Sequence, residues 1–360
     1  MAHLDIPREQ TIAYRALRHG LHRDTTTATD LAVFDLGVQD AGSRSPQVAL
    51  AARLPGEPDL DGFVTLWAHR GAPHLLRRAD VTALAGALWP RTDADAWARL
   101  GACGTALKRV GVPGLHAYTT AATALREVVD TEKPRGQVSG ELTARLPAAY
   151  AFDCGPCATT HVYGSLFQLI GLFAGVTVHA EHRPTLLRPL PDRHPVPTTG
   201  DPTPVITDYL RLHGPATIAD VAAFLDTTQT QVKPAWPTNL VELGDGRWFP
   251  ESDLDTLRTA PTPDVVRLLP PLDPWLQTRD RALLVPDVTR QKQVWKVIGN
   301  PGALLIHGEI AGTWRTKTTG KTLTLTLDPF EPLPATTVKT IAAEAEHVAT
   351  ARGFTDVHVI

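Results

Sequence analysis

Pro204-Val-Ile-Thr-Asp-Tyr-Leu-Arg-Leu-His-Gly-Pro-Ala-Thr-Ile-Ala-Asp-Val-Ala-Ala-Phe-Leu-Asp-Thr-Thr-Gln-Thr-Gln-Val-Lys-Pro-Ala-Trp-Pro-Thr-Asn-Leu-Val-Glu-Leu-Gly-Asp-Gly-Arg-Trp-Phe249 holds the cleanest pattern in the chain. Apolar residues at helical spacing predict short helices over 204–212, 218–225 and 230–236, and Thr228-x-x-Gln231 has the form of a capping box on the last of them. The period then changes, and 240–249, interrupted by Gly244-Asp-Gly246, predicts a hairpin because Asp-Gly favours a type I′ turn. Three short helices followed by a hairpin make a winged helix-turn-helix. Such a unit binds DNA in some proteins and only other proteins in others.

Working outward, 8–21 and 30–36 have helical spacing, and 46–54 follows after a Gly-Ser-Arg-Ser break. Two short strands, 62–68 and 74–77, surround Gly71-Ala-Pro73, and a helix over 79–88 stops before Pro90. This hairpin carries His69, Arg70, His74, Arg77 and Arg78. So many planar donors in one turn suit a phosphate-rich partner, because Arg heads are rarely buried unpaired. The alternative is an exposed hairpin whose arginines meet carboxylates. A related order recurs in a helix over 137–145, a strand over 148–152, a longer apolar helix over 161–173 and a strand over 176–182. The Pro- and Thr-crowded stretch 184–204 reads as a linker. Short strands over 265–269, 282–285, 303–307, 312–315 and 323–327, closed by a helix over 336–351, make the last third β-rich. The fold class is α+β, with expected divisions at 1–132, 133–198, 199–262 and 263–360.

Composition bounds the function. The chain has 360 residues, 35 Lys and Arg against 38 Asp and Glu, and a net charge of −3. That balance excludes a globally basic nucleic-acid coat and leaves room for one local basic face. No run approaches the ~20 apolar residues of a membrane span. The start, MAHLDIPREQ, lacks the apolar core of a signal peptide, so the expected location is cytoplasmic. Three cysteines, Cys103, Cys154 and Cys157, give no disulfide framework.

Several stretches in order resemble the bacterial AlkZ/YcaQ-like winged-helix DNA glycosylases. They are Leu36-Gly-Val-Gln39, Ala49-Leu-Ala-Ala-Arg53, Leu66-Trp-Ala-His-Arg-Gly-Ala-Pro-His74, Val266-Arg-Leu-Leu-Pro-Pro-Leu-Asp-Pro-Trp275 and Gly308-Glu-Ile-Ala-Gly-Thr-Trp-Arg315. The resemblance implies three tandem winged-helix motifs forming a concave channel, plus a C-terminal β-rich domain. The implied activity is monofunctional hydrolysis of the N-glycosidic bond of bulky or cationic alkylated purines, interstrand crosslinks among them. The implied partner is double-stranded DNA containing alkylated bases. The chain is expected to be a monomer, with no cofactor and no metal. In the family a Gln-x-Gln or Gln-x-Asp pair near a helix end positions the water. Here the triplet is Gln39-Asp40-Ala41, and Ala41 can neither orient a water nor take its proton. Asp40 is the nearby substitute, if the helix ends at Gly42 and lets both side chains share a site. Otherwise Asp40 satisfies backbone amides in a turn. The resemblance further implies that Arg70 and His74 line the DNA channel, with Arg77 and Arg78 holding the backbone nearby. Arg44 and His69 are further candidate DNA contacts read from the sequence, the alternatives being a solvated loop arginine and a packed hairpin histidine. A non-catalytic DNA-binding protein, a regulator or genotoxin-resistance binder, is the alternative that Ala41 keeps open.

Other signals compete. Cys154-Gly-Pro-Cys157 copies a thioredoxin redox motif without the surrounding βαβ unit. With His161 it forms a C-x2-C-x3-H trio that would need a distant fourth zinc ligand such as His182, so packed thiols are the default expectation. Asp273 is expected to cap a turn or pair with Arg279 or Arg281. Trp314 is expected to be a packed core residue, and Arg315, Lys317 and Lys321 a solvated strand edge.

Overall fold

The computed structural model describes residues 6–360. The opening residues MAHLD, the start of the stretch without a signal-peptide core, lie outside the described residues. The chain forms two compact units. One holds the residues up to Asp61 together with Thr207–Asp220 and Thr238–Ile360; the other holds Gly62–Ile206 and Val221–Pro237. Among the described residues no helix is long and apolar enough to cross a membrane.

In the first unit the helix Arg8–Arg18 begins after Pro7, whose ring presets the entry angle. Its apolar residues divide between two cores. Ala13 and Tyr14 pack with Phe249, Leu257 and Ala260, and Tyr14 meets the Phe249 ring edge-on at 5.1 Å. Ile12 and Ala16 join Leu269, Trp275, Leu305 and Ile310. Between those faces sits Arg15, buried, donating to both carboxylate oxygens of Asp280 (3.0 and 2.7 Å) and to the Gly214 carbonyl. A buried guanidinium is tolerable only with such complete pairing.

The C-terminal sheet runs in the order 266–269, 302–306, 309–319, 322–329, 356–359. The first four strands are antiparallel, and Asp356–Val359 lies parallel to Thr322–Pro329. The parallel pair requires a crossover, supplied by the helix Ala335–Arg352. That helix buries Ile341, Ala345 and Val348 against Leu268, Leu304, Leu323 and Leu325. Trp314 lies in the same core and donates its indole N–H to the Ala303 carbonyl, as a packed residue should. A Cβ on Gly302 would stand 2.2 Å from that indole, which explains the glycine there. Beyond Trp314 the strand Glu309–Thr319 has, among the described residues, a partner on one side only, and Arg315 and Lys317 on that stretch are exposed.

The hairpin of strands Leu240–Glu242 and Trp248–Pro250 has the expected turn. Asp245 and Gly246 both have positive φ (50° and 68°), and the Arg247 N–H closes the turn onto the Gly244 carbonyl at 2.8 Å. The helices before it fall at Thr203–His213, Ile218–Phe224 and Gln229–Val232. The capping box does not form: Thr228 makes no side-chain cap, and Gln231 instead accepts from the Thr92 hydroxyl at 2.7 Å.

In the second unit the strands follow the order 73–77, 63–67, 176–179, 186–189, 133–134. The helix Gly171–Ala174 packs on strands 63–67 and 176–179, the helix Arg135–Arg145 lies against 133–134 and 186–189, and Phe173 joins the rings of Trp89 and Tyr118. Gly171 is required because a Cβ there would press on Trp67 at 2.8 Å. Four expectations are corrected. The stretch 30–36 is two short 3-10 turns. The single helix over 161–173 is instead the end of a strand, Thr159–Val162, and two short helices, Gly164–Leu169 and Gly171–Ala174, that meet at Ile170. The 282–285 strand is a helical turn, Arg281–Leu284, since four apolar residues carry too little periodicity to choose. The 184–204 linker contains the strand Leu186–Pro189, with Leu187 and Leu190 buried and Arg193 donating to the Arg126 and Val129 carbonyls. Its proline content hid two anchoring leucines.

Candidate active site and nucleic-acid interface

Gln39 ends a two-residue strand, Val38–Gln39. The expected helix end at Gly42 is therefore corrected: a strand and turn precede the helix Ser45–Ala51. Asp40 follows the strand directly and opens the turn, and the two side chains hold different hydrogen-bond partners. The Gln39 amide oxygen accepts from Gln277 Nε2 at 3.2 Å, and Gln277 also donates to the Leu272 carbonyl. Asp40 Oδ1 accepts from the Gly42 N–H at 2.7 Å and from the Ser45 hydroxyl at 3.3 Å, while Ser45 Oγ accepts from the Ala41 N–H. One carboxylate oxygen of Asp40 thus builds the turn.

The turn is stiff. Ser43 and Arg44 both have positive φ (54° and 58°), and the next residue begins the helix. Arg44 is exposed. Its guanidinium stands 3.1 Å from where a Cβ on Gly353 would lie. Ala41, Gly42 and Ser43 line a cleft of 220 Å³ whose other walls include Pro270, Arg315 and Arg352. Arg352 donates to the Thr316 hydroxyl and Arg315 to the Gly299 carbonyl. Two arginines in the wall of a cleft that the Asp40 turn borders favour an anionic ligand. Arg352 had no sequence signal, because it reaches this place only through the crossover helix.

Behind the cleft Arg53 and Asp273 form a fully buried bidentate pair at 2.8 and 2.7 Å. Arg53 also donates to the Ala49 carbonyl, and Asp273 accepts from the Trp275 N–H, so the expected cap is present. Its ionic partner is Arg53, not Arg279 or Arg281. The pair fixes the segment 270–277, and with it Gln277, relative to the helix that follows the Asp40 turn.

The hairpin residues lie in the second unit. His69 is buried, its ring 5.3 Å from His74 and 5.0 Å from Phe224. His74 is buried too and donates Nδ1–H to the Ala72 carbonyl at 2.8 Å. Burial first, and then the Arg70 charge, push its pKa down to about 3, so the ring is neutral at physiological pH. Arg70 has positive φ, donates to the Phe224 carbonyl at 3.0 Å and lies over the Phe224 ring. Arg77 pairs with Asp80 at 3.1 Å, and Arg78 is exposed. The five residues thus share one hairpin, with the histidines inside it and Arg78 facing solvent.

The sequence profile of the family described as DNA glycosylase AlkZ-like matches residues 33–351. The chain belongs to the AlkZ-like DNA glycosylase family. Its fold is similar to that of the Streptomyces sahachiroi DNA glycosylase AlkZ, with a TM-score of 0.73 over 99% of this chain and 100% of that one, at 20% sequence identity. No curated protein matches the chain. In this AlkZ-like chain the profile spans the Asp40 turn, the basic hairpin and the Arg53–Asp273 pair alike.

Proposed function

We propose that the chain is a monofunctional DNA glycosylase acting on bulky or cationic alkylated purines in duplex DNA, crosslinked adducts included. The observation that carries this reading is the Gln39–Asp40 turn at the edge of an arginine-flanked cleft, in a chain of a glycosylase family. An N7- or N3-alkylated purine already bears positive charge and leaves readily. The protein has to place a water and stabilise positive charge developing on the sugar. In the proposed step the Gln39 amide orients the water, and Asp40, through the oxygen not held by the turn, accepts its proton. The water oxygen bonds to the sugar C1′ as the C1′–N bond breaks, and the base departs with the bonding electrons. Arg44, Arg315 and Arg352 hold phosphates beside this turn, and Arg77 and Arg78 contact backbone from the hairpin. Arg70, His69 and His74 shape that hairpin from within. We read the hairpins at 63–77, 151–162 and 240–250 as wings of three winged-helix motifs.

Duplex oligonucleotides bearing N7-alkylguanine or a nitrogen-mustard crosslink test the reading through alkali-labile abasic sites. The native chain should release the base, and Gln39→Ala and Asp40→Asn should each lower the single-turnover rate by roughly 100-fold. Normal release by both variants would end the proposed mechanism. Ala41 and the capping role of Asp40 support one second reading, a DNA binder without hydrolysis, which predicts tight binding of the adduct and no release.

A further inference from the structure

The tip of the hairpin formed by Ala151–Cys154 and Thr159–Val162 brings together three soft and borderline ligands. One ligand atom each from Cys154, Cys157 and His161 lies within 4.8 Å of the others. The expectation of packed thiols fails here: Cys157 is exposed and Cys154 half-buried, while only Cys103 is buried. We infer that Cys154, Cys157 and His161 form a zinc site that staples this hairpin tip.

The backbone prepares the site. Phe152 and Cys154 are two apart on one strand, and His161 is the register partner of Phe152, so the Cys154 and His161 side chains share a face. Cys157 enters from the turn, where Ala158 takes a positive φ of 49° and closes onto the Gly155 carbonyl at 3.2 Å. His161 Nδ1–H donates to the Val162 carbonyl at 2.8 Å, which leaves Nε2 as the ligating atom and fixes the tautomer. The Phe152 ring, edge-on at 5.0 Å, limits rotation of the imidazole. Tetrahedral zinc, with bonds of about 2.3 Å to sulfur and about 2.0–2.1 Å to nitrogen, needs ligand atoms about 3.5–3.8 Å apart, a spacing that small side-chain rotations supply here. Solvent takes the fourth position. Two thiols release their protons as the ion binds, and no electron is transferred.

The test uses the full-length chain, stripped of metal and fully reduced, with zinc and cobalt(II) as probes. One equivalent of zinc should bind. Cobalt should give a thiolate-to-metal charge-transfer band and visible bands of tetrahedral intensity. Cys154→Ser and Cys157→Ser should each lose half or more of the charge-transfer intensity, His161→Ala should weaken zinc binding tenfold or more, and Cys103→Ala should change neither. These positions are at a hairpin tip, and circular dichroism checks that the variants fold. The native spectrum is decisive by itself if they do not. Absence of the cobalt band in the reduced native chain would overturn the inference, as would one equivalent of zinc retained by the Cys154→Ser, Cys157→Ser double variant. Rapid closure to a disulfide with zinc present at saturation would point to a redox pair and also overturn it.

Discussion

Asp40 shows how a single carboxylate can be divided between structure and chemistry. Oδ1 caps the turn through Gly42 and Ser45, so Asp40→Ala should lose the turn as well as the proton acceptor. Asp40→Asn keeps an oxygen for the cap. Comparing the two by thermal unfolding and single-turnover kinetics should therefore show a stability loss of about 1 kcal/mol for Ala alone and a rate loss for both. The Arg53–Asp273 pair is purely internal. Asp273→Ala should cost about 3–5 kcal/mol in urea unfolding, because it strands a buried guanidinium. His74 sets a pH dependence. Its folded pKa, about 3, lies below the unfolded value of 6.5, so the unfolded chain takes up the proton first. Stability is complete above pH 6.5 and falls as the pH drops, by about 2 kcal/mol at pH 5 from this group alone. A His74→Gln variant should show that much less acid sensitivity.

At the scale of elements, legibility followed periodicity. The 63–77 and 240–250 hairpins and the helices at 8–18, 203–213 and 335–352 were readable because alternation, Asp-Gly turns and helical spacing are local signals. The stretch 184–204 was not, since its strand is held by partners more than fifty positions earlier as well as by a neighbouring strand. Leu187→Ala should cost about 2–5 kcal/mol, whereas a true linker would lose almost nothing. The candidate site was half legible. Gln39, Asp40 and Arg44 were named from the sequence, yet their strand-and-turn setting was not, because two strand residues carry no period. Gln277 and Arg352 arrive from distant segments and left no mark near the triplet.

For the whole molecule, a net charge of −3 means that affinity for DNA rests on a few placed arginines rather than on a general field. Arg44→Ala and Arg78→Ala should each weaken binding to any duplex similarly and lower the slope of log affinity against log salt by about 1, read by fluorescence anisotropy across a salt series. A specific loss at the adduct with an unchanged slope would place those side chains on the base instead.

The N-terminal helix has one more consequence, in time rather than in space. Arg8 meets the Glu309 carboxylate 301 positions later, and Tyr14 waits for the Arg211 carbonyl and the Phe249 ring. At about 5–20 residues per second of synthesis, its last partners emerge some 15–60 seconds after the helix does. Until then the two apolar faces of the helix and the Arg15 guanidinium between them lack the partners that cover them in the folded chain.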